Sequence, residues 1–197
     1  MSSTQGKNCI VDILSKDEIE KCVDKISQKI CKITKDKKTF IHLVCVLDGA
    51  KKLTSEISKK LTSKNIKHFI SYIKSTSTSN LELLDNITLK ENNIPKIDFF
   101  TKKTSHIIID DLIDSGKTVL GVKKYLIKKG YLDIQIAALI NKYKNCNIAN
   151  ILGYDLCYVK DELKNNGIKD YWLFGYGMDL DEKYRELEAI KALQIHL

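Results

Sequence analysis

The stretch FIHLVCVL, residues 40–47, is apolar almost without interruption and rich in strand formers. A strand with one face in water alternates apolar and polar residues. One that does not alternate needs cover on both faces, and in parallel sheets that cover comes from helices. HFISYI (68–73), HIII (106–109) and IQIAALI (134–140) read as further strands, with ILGYDLCYV (151–159) and YWLF (171–174) as two more. Helical spacing lies between them. Leu53, Ile57 and Leu61 share a face, and residues 118–129 make a helix that Gly130 stops. Near the start, Ser15 and Glu18 form a capping box, stapled by Leu14 and Ile19, ahead of Ile19, Val23, Ile26 and Ile30 at helical spacing. Strands alternating with helices predict an α/β fold built on a Rossmann-like parallel sheet flanked by helices. The polar stretch KSTSTSN (74–80) opens a region without clear pattern to about residue 103, which holds the single proline, Pro95. There is no internal repeat.

In open α/β sheets ligands bind outside the carboxyl ends of the strands. The segment DDLIDSGKTV, 110–119, lies there, between the strand HIII and the helix after it. Ser115, Gly116, Lys117 and Thr118 are residues that hold an anion. Backbone N–H groups at a helix start point at it, the helix dipole favours it, and glycine allows close approach. The pattern GxxxxGK[ST] is absent, so this is not a Walker loop. Asp110, Asp111 and Asp114 would repel a bare phosphate. They suit a ligand that also carries ribose hydroxyls, a metal, or a positive charge that develops during reaction.

The length of 197 residues suits one domain with a sizeable core. No run of 18 apolar residues occurs and the first residues lack the long apolar stretch of a secretory signal, so neither a membrane span nor export is expected. Six cysteines at 9, 22, 31, 45, 146 and 157 form no CxxC pair and read as reduced, cytosolic thiols rather than a disulfide frame or zinc site. The net charge of +8 is compatible with a nucleic-acid partner, but the lysines are dispersed and no nucleic acid is expected. Arg185 is the single arginine among 33 basic residues, in a chain that uses lysine everywhere else.

IIIDDLIDSGKTV (107–119) resembles the phosphoribosyl-diphosphate motif of type I phosphoribosyltransferases: apolar residues, two acids, two apolar residues, then D-[ST]-G-x-T. VCVLDGAKKL (44–53) resembles the pyrophosphate-binding strand and loop of the 6-oxopurine, or hypoxanthine-guanine, branch. LFGYGMDLDEKYREL (173–187) resembles that branch's C-terminal signature. The resemblance covers nearly the whole chain in order. It implies a cytoplasmic enzyme that joins hypoxanthine or guanine, and in some members xanthine, to 5-phosphoribosyl 1-diphosphate. The products are IMP or GMP and pyrophosphate, and Mg2+ assists. It further implies a single domain over 1–197 with a core at about 36–145, a hood from about 1–20 and 150–197, a mobile lid within about 74–103, and a homodimer or homotetramer.

Residue by residue, the resemblance assigns the 5′-phosphate to the turn Ser115–Thr118 and the ribose hydroxyls to Asp110 and Asp111. It assigns the proton at purine N7 to Asp114, as general base or hydrogen-bond partner. It gives pyrophosphate to Asp48, Gly49 and Arg185, with a cis peptide in the loop 47–49. It gives the purine to Lys142, Trp172, Leu173 and Asp179, and magnesium to Asp179 as well, with Asp110 and Asp111 as further candidates. Two positions depart from the family. Many relatives have lysine where this chain has Asp48. Relatives also carry a Ser-Tyr pair in the lid, where this chain has Ser75-Thr76, so only the serine is kept. A second reading is an RNA-binding regulator of the same fold. Lys142 and the GYGMD segment favour the enzyme.

Overall fold

A computed structural model of the chain describes residues 9–34, 39–77, 87–92, 94, 104–141, 151–155 and 171–194, with the backbone alone for 75–77, 87–92, 151 and 153–155. The elements are β1 (Ile10–Leu14), α1 (Lys16–Ile33), β2 (Phe40–Leu47), α2 (Lys51–Ser63), β3 (His68–Ser77), β4 (Ile87–Asn92), β5 (Thr104–Ile113), α3 (Lys117–Lys128), β6 (Ile134–Asn141), β7 (Ile151–Asp155), β8 (Tyr171–Phe174) and β9 (Ile190–Gln194).

The large sheet has the order β4-β3-β2-β5-β6-β7. β3, β2, β5, β6 and β7 run parallel, and β4 lies antiparallel on the β3 edge. The unbroken apolar run of β2 has the expected cause, because both its faces are covered. Ile41, Leu43 and Cys45 face α1 and α2 with Ile26, Ile30, Leu53 and Ile57. Val44 and Val46 face α3 with Val119, Val122 and Leu126. α1 starts as the sequence predicts. Glu18 N–H donates to Ser15 Oγ at 3.4 Å, and Ser15 N–H donates back to the Glu18 carboxylate at 2.8 Å. Its staple residues Leu14 and Ile19 are buried.

A smaller antiparallel sheet, β1-β9-β8, joins the two ends of the chain, with Ile10 opposite Leu193 and Trp172 opposite Leu193 on the other side.

Five strands differ from the sequence expectation. β3 continues through the polar residues Lys74–Ser77, because β4 pairs with it from Tyr72↔Asn92 to Ser77↔Ile87. β5 does not end at Ile109 but runs through Asp110 and Asp111 to Ile113, because β6 keeps pairing alongside it. The two acids are therefore strand residues, not loop residues. β1, β4 and β9 carry no strand-length apolar run, and they exist because a partner strand offers backbone hydrogen bonds.

Candidate active site

The chain leaves β2 toward α2 on one face of the sheet and leaves β5 toward α3 on the other. Between the carboxyl ends of these neighbouring strands a crevice must open. It holds a cleft of about 410 Å³ whose walls come from three segments, 46–49, 110–118 and 171–185.

β5 contributes its acids from two consecutive positions. Asp110 is buried and Asp111 is partly buried at the cleft wall. Asp111 N–H donates to Asp110 Oδ1 at 3.1 Å, and Leu112 N–H donates to Asp111 Oδ1 at 2.9 Å. Burial, and then the charge of Asp111, push the Asp110 carboxyl well above the usual range. Burial raises the Asp111 carboxyl as well, so the pair disfavours carrying two negative charges at once.

After Ile113 the chain turns through Asp114, Ser115 and Gly116 into α3. Gly116 is the N-cap with φ 75°, in the left-handed region that glycine enters without a steric cost. Lys117 N–H donates to Ser115 Oγ at 3.4 Å. The turn surrounds a pocket of about 80 Å³ bounded by Asp110, Asp114, Ser115, Gly116 and Thr118. The first N–H groups of a helix have no partner within the helix, and Thr118 and Val119 of the first turn of α3 line this pocket. Lys117 is exposed and borders neither cavity, and its N–H is taken by Ser115 Oγ.

The β2 end supplies the opposite wall. The Leu47–Asp48 peptide is cis. Gly49 packs directly on Asp111, since a Cβ there would sit 1.8 Å from Asp111 Oδ2 and 2.6 Å from its Cγ unless that carboxyl moved. Asp48 forms an ion pair with Lys74, Nζ to Oδ2 2.9 Å, and its carboxyl is held below the usual range chiefly by that hydrogen bond.

The third wall is the segment after β8. Gly175 (φ 96°), Tyr176 (φ 50°) and Gly177 (φ 100°) turn it sharply, and Gly177 packs so closely on the β2 loop that a Cβ would lie 2.3 Å from Gly49 O. Tyr176 Oη donates to Glu56 of α2 at 2.5 Å, and the Lys52 ammonium sits 4.8 Å from the Tyr176 ring centre. Arg185 spans the turn. One nitrogen donates to Gly177 O at 2.6 Å and the other meets Asp179 Oδ1 at 2.7 Å. Asp179 Oδ2 accepts from Glu182 N–H at 3.0 Å. Trp172 is 54% exposed, borders the cleft with its ring, and donates Nε1–H to Asp179 O at 2.9 Å. Leu173 is buried at the same wall.

Most sequence-predicted site residues thus converge: Asp48, Gly49, Asp110, Asp111, Asp114, Thr118, Trp172, Leu173, Asp179 and Arg185 line one cleft. Ser115 and Gly116 line the adjoining small pocket. Lys142 lies outside the described residues, as does most of the stretch 74–103. Ser75 and Thr76 belong to β3, and their side chains are not described. Sequence reasoning missed Met178 and Tyr171 as lining residues, and Lys74 as the partner of Asp48. Met178 and Tyr171 flank recognised motif residues, but Lys74 carried no signal. Among the described residues no three acidic, histidine or cysteine side chains form a ready-made metal cage.

Comparison with known proteins agrees with this geometry. The profile of the phosphoribosyl transferase domain matches residues 12–179. Hypoxanthine phosphoribosyltransferase of Buchnera aphidicola subsp. Schizaphis graminum is 26% identical over 184 residues, covering 93% of this chain and 96% of that protein. Hypoxanthine-guanine phosphoribosyltransferase of Streptococcus thermophilus is 28% identical over 156 residues, covering 77% and 76%. The crystal structure of the L. donovani hypoxanthine-guanine phosphoribosyl transferase superposes with a TM-score of 0.75 at 18% identity, over 94% of this chain and 100% of that one. With the acid pair on β5, the glycine-capped start of α3 and a profile match over most of its length, this chain belongs to the phosphoribosyl transferase domain family.

Proposed function

We propose that the protein is a 6-oxopurine phosphoribosyltransferase. It transfers the 5-phosphoribosyl group of 5-phosphoribosyl 1-diphosphate to hypoxanthine or guanine, giving IMP or GMP and pyrophosphate. The observation that carries this reading is the joining of an anion pocket, a carboxylate pair and an aromatic wall in one cleft between β2 and β5. These are the features that a phosphate, a ribose and a purine each need.

In this reading the turn Ser115–Thr118 holds the 5′-phosphate through backbone N–H groups and hydroxyls. Asp110 and Asp111 meet the ribose hydroxyls and favour the positive charge that builds on the ribose as the bond to pyrophosphate breaks. Asp114 borders both cavities and takes the N7 proton of the purine or orients it. Trp172 stacks on the base, the Leu173 backbone meets its edge, and Lys142 donates to the 6-oxo group. The three-stranded sheet β1-β9-β8 acts as a hood, and the segment within 74–103 as a lid that excludes water. The loop 48–49 and Arg185 receive pyrophosphate.

The donors in the cleft are hard carboxylate oxygens, which suit magnesium. A site without a protein cage fits an ion carried largely by substrate oxygens, with Asp110, Asp111 and Asp179 as its nearest protein groups. Bound there, magnesium supplies charge stabilisation to the pyrophosphate leaving group.

The test is a steady-state assay of each base with phosphoribosyl diphosphate and magnesium. Hypoxanthine and guanine are expected to release pyrophosphate and yield nucleotide, and adenine little or none, since a 6-amino group leaves the Lys142 donor unpaired. Efficient use of adenine overturns the base assignment, and absence of any base-dependent release overturns the reaction. The RNA-binding reading predicts that second result, and no observation favours it.

A further inference from the structure

The cleft has a charge problem. Asp48, Asp110, Asp111, Asp114 and Asp179 all border it, and Arg185 already bonds Asp179 at 2.7 Å. Asp48 stays a carboxylate, its range held below the ordinary one chiefly by the hydrogen bond from Lys74. It projects at the tip of the β2 loop with its side chain 41% exposed. A diphosphate arriving at this loop to meet backbone N–H groups faces that negative charge first.

Lys74 answers it. β2 and β3 are parallel neighbours, and their register sets Lys74 beside Leu47, the residue before Asp48. The backbone pairing of two strands therefore brings the Lys74 Cα to the loop, whatever the side chain does. The ammonium then lies 2.9 Å from Asp48 Oδ2. Lys51 and Arg185 add smaller attractions to Asp48. Exposed ion pairs contribute little to stability, so the fold does not need this one. The anionic substrate does.

We propose that Lys74 is a positioning residue for the diphosphate group, neutralising Asp48 so that the Asp48–Gly49 loop can accept a diphosphate. The inference rests on the phosphoribosyltransferase reading of the cleft. Lys74 acts through Asp48 and does not itself need to touch the substrate. The placement works as a unit: a carboxylate on the loop is tolerable because the neighbouring strand supplies a cation at the matching register.

The experiment is calorimetric titration of pyrophosphate with magnesium, and of GMP, into the wild type, Lys74→Met, Lys74→Arg, Asp48→Asn and the double variant Lys74→Met/Asp48→Asn. Leaving one charge unmatched within a few ångströms of the ligand is expected to weaken pyrophosphate by roughly tenfold in Lys74→Met. Lys74→Arg keeps the cation and is expected to bind like the wild type. Asp48→Asn leaves the Lys74 cation unopposed at the loop and is expected to bind pyrophosphate more tightly than the wild type. The double variant is expected to recover most of the loss, because the charge that needed matching is gone. GMP, which lacks the diphosphate, is expected to change less than twofold, with melting temperature unaffected.

Wild-type affinity in Lys74→Met overturns the proposal. A double variant as weak as Lys74→Met also overturns it, since the ammonium would then contact the ligand directly. Equal weakening of GMP overturns it in favour of a purely structural role. A wild type that binds no pyrophosphate overturns both this inference and the reading of the cleft. A wild type that binds pyrophosphate but transfers no phosphoribosyl group overturns the reaction alone and leaves Lys74 in place.

Discussion

Gly177→Ala tests the contact between the two loops that build the pyrophosphate side of the cleft. The added Cβ would lie 2.3 Å from the backbone oxygen of Gly49 and 3.7 Å from the Lys52 Cβ. The first distance is far inside van der Waals contact, and a backbone carbonyl has no rotamer by which to withdraw. Gly177 also has φ 100°, where an L side chain is strained at a cost of about 1–3 kcal/mol. Overpacking adds about 1–3 kcal/mol. Together these give about 2–6 kcal/mol, and at roughly 2–4 °C per kcal/mol for a chain of this size the melting temperature falls by about 4–24 °C. Gly175→Ala is a matched control. Its Cβ would meet Ala189 O at 2.2 Å, with φ 96°, but away from the β2 loop. Both variants are expected to lose similar stability in thermal unfolding. Pyrophosphate binding, measured well below either transition, is expected to weaken far more in Gly177→Ala, because relief of the clash displaces Gly49 and the carbonyl that Arg185 bonds. Equal loss of binding in both, or an unchanged melting temperature for Gly177→Ala, refutes the reasoning.

Asp114→Asn is expected to keep the fold and the binding of phosphoribosyl diphosphate while slowing the chemical step by about 10²- to 10⁴-fold, read by single-turnover kinetics. An unchanged step removes Asp114 from proton handling. Arg185→Lys cannot span Gly177 O and Asp179 together, because ammonium lacks the planar fork. Pyrophosphate is expected to bind about tenfold or more weakly and GMP much less so, and titration of both decides it. The third concerns a buried pair at the far end of the sheet. His42 Nδ1 lies 3.0 Å from His106 Nδ1, and His42 Nε2 lies 3.0 Å from Ser71 Oγ. Burial lowers His42 to about 3 and His106 to about 4. Below the unfolded value of about 6.5 the unfolded chain binds more protons than the native one, so each histidine removes up to about 1.4 kcal/mol of stability per pH unit as pH falls. Urea midpoints at pH 7.5 and 5 check this, with a shallower dependence expected for His42→Asn; equal slopes contradict it.

The sequence by itself determined the strands that carry their own signal. β2 is apolar on both faces, and a chain can satisfy that only by placing it inside a sheet covered twice, so β2, β6 and the layered architecture were legible. The capping box at Ser15 and the stop at Gly130 were legible for the same reason, because their causes lie within a few residues. So was the local chemistry of Asp110–Thr118. β1, β4 and β9, and the extensions of β3 and β5, were not legible, because a strand of mixed polarity owes its existence to backbone hydrogen bonds from a partner distant in sequence. Tertiary structure alone decided that Gly177 must be glycine to clear the Gly49 carbonyl, that Gly49 lies directly against the Asp111 carboxyl, and that burial raises Asp110. It also decided that Asp48 is matched by Lys74, 26 residues away. Charge balance and close packing are properties of neighbours in space, and only the register of β2 against β3 makes those two residues neighbours.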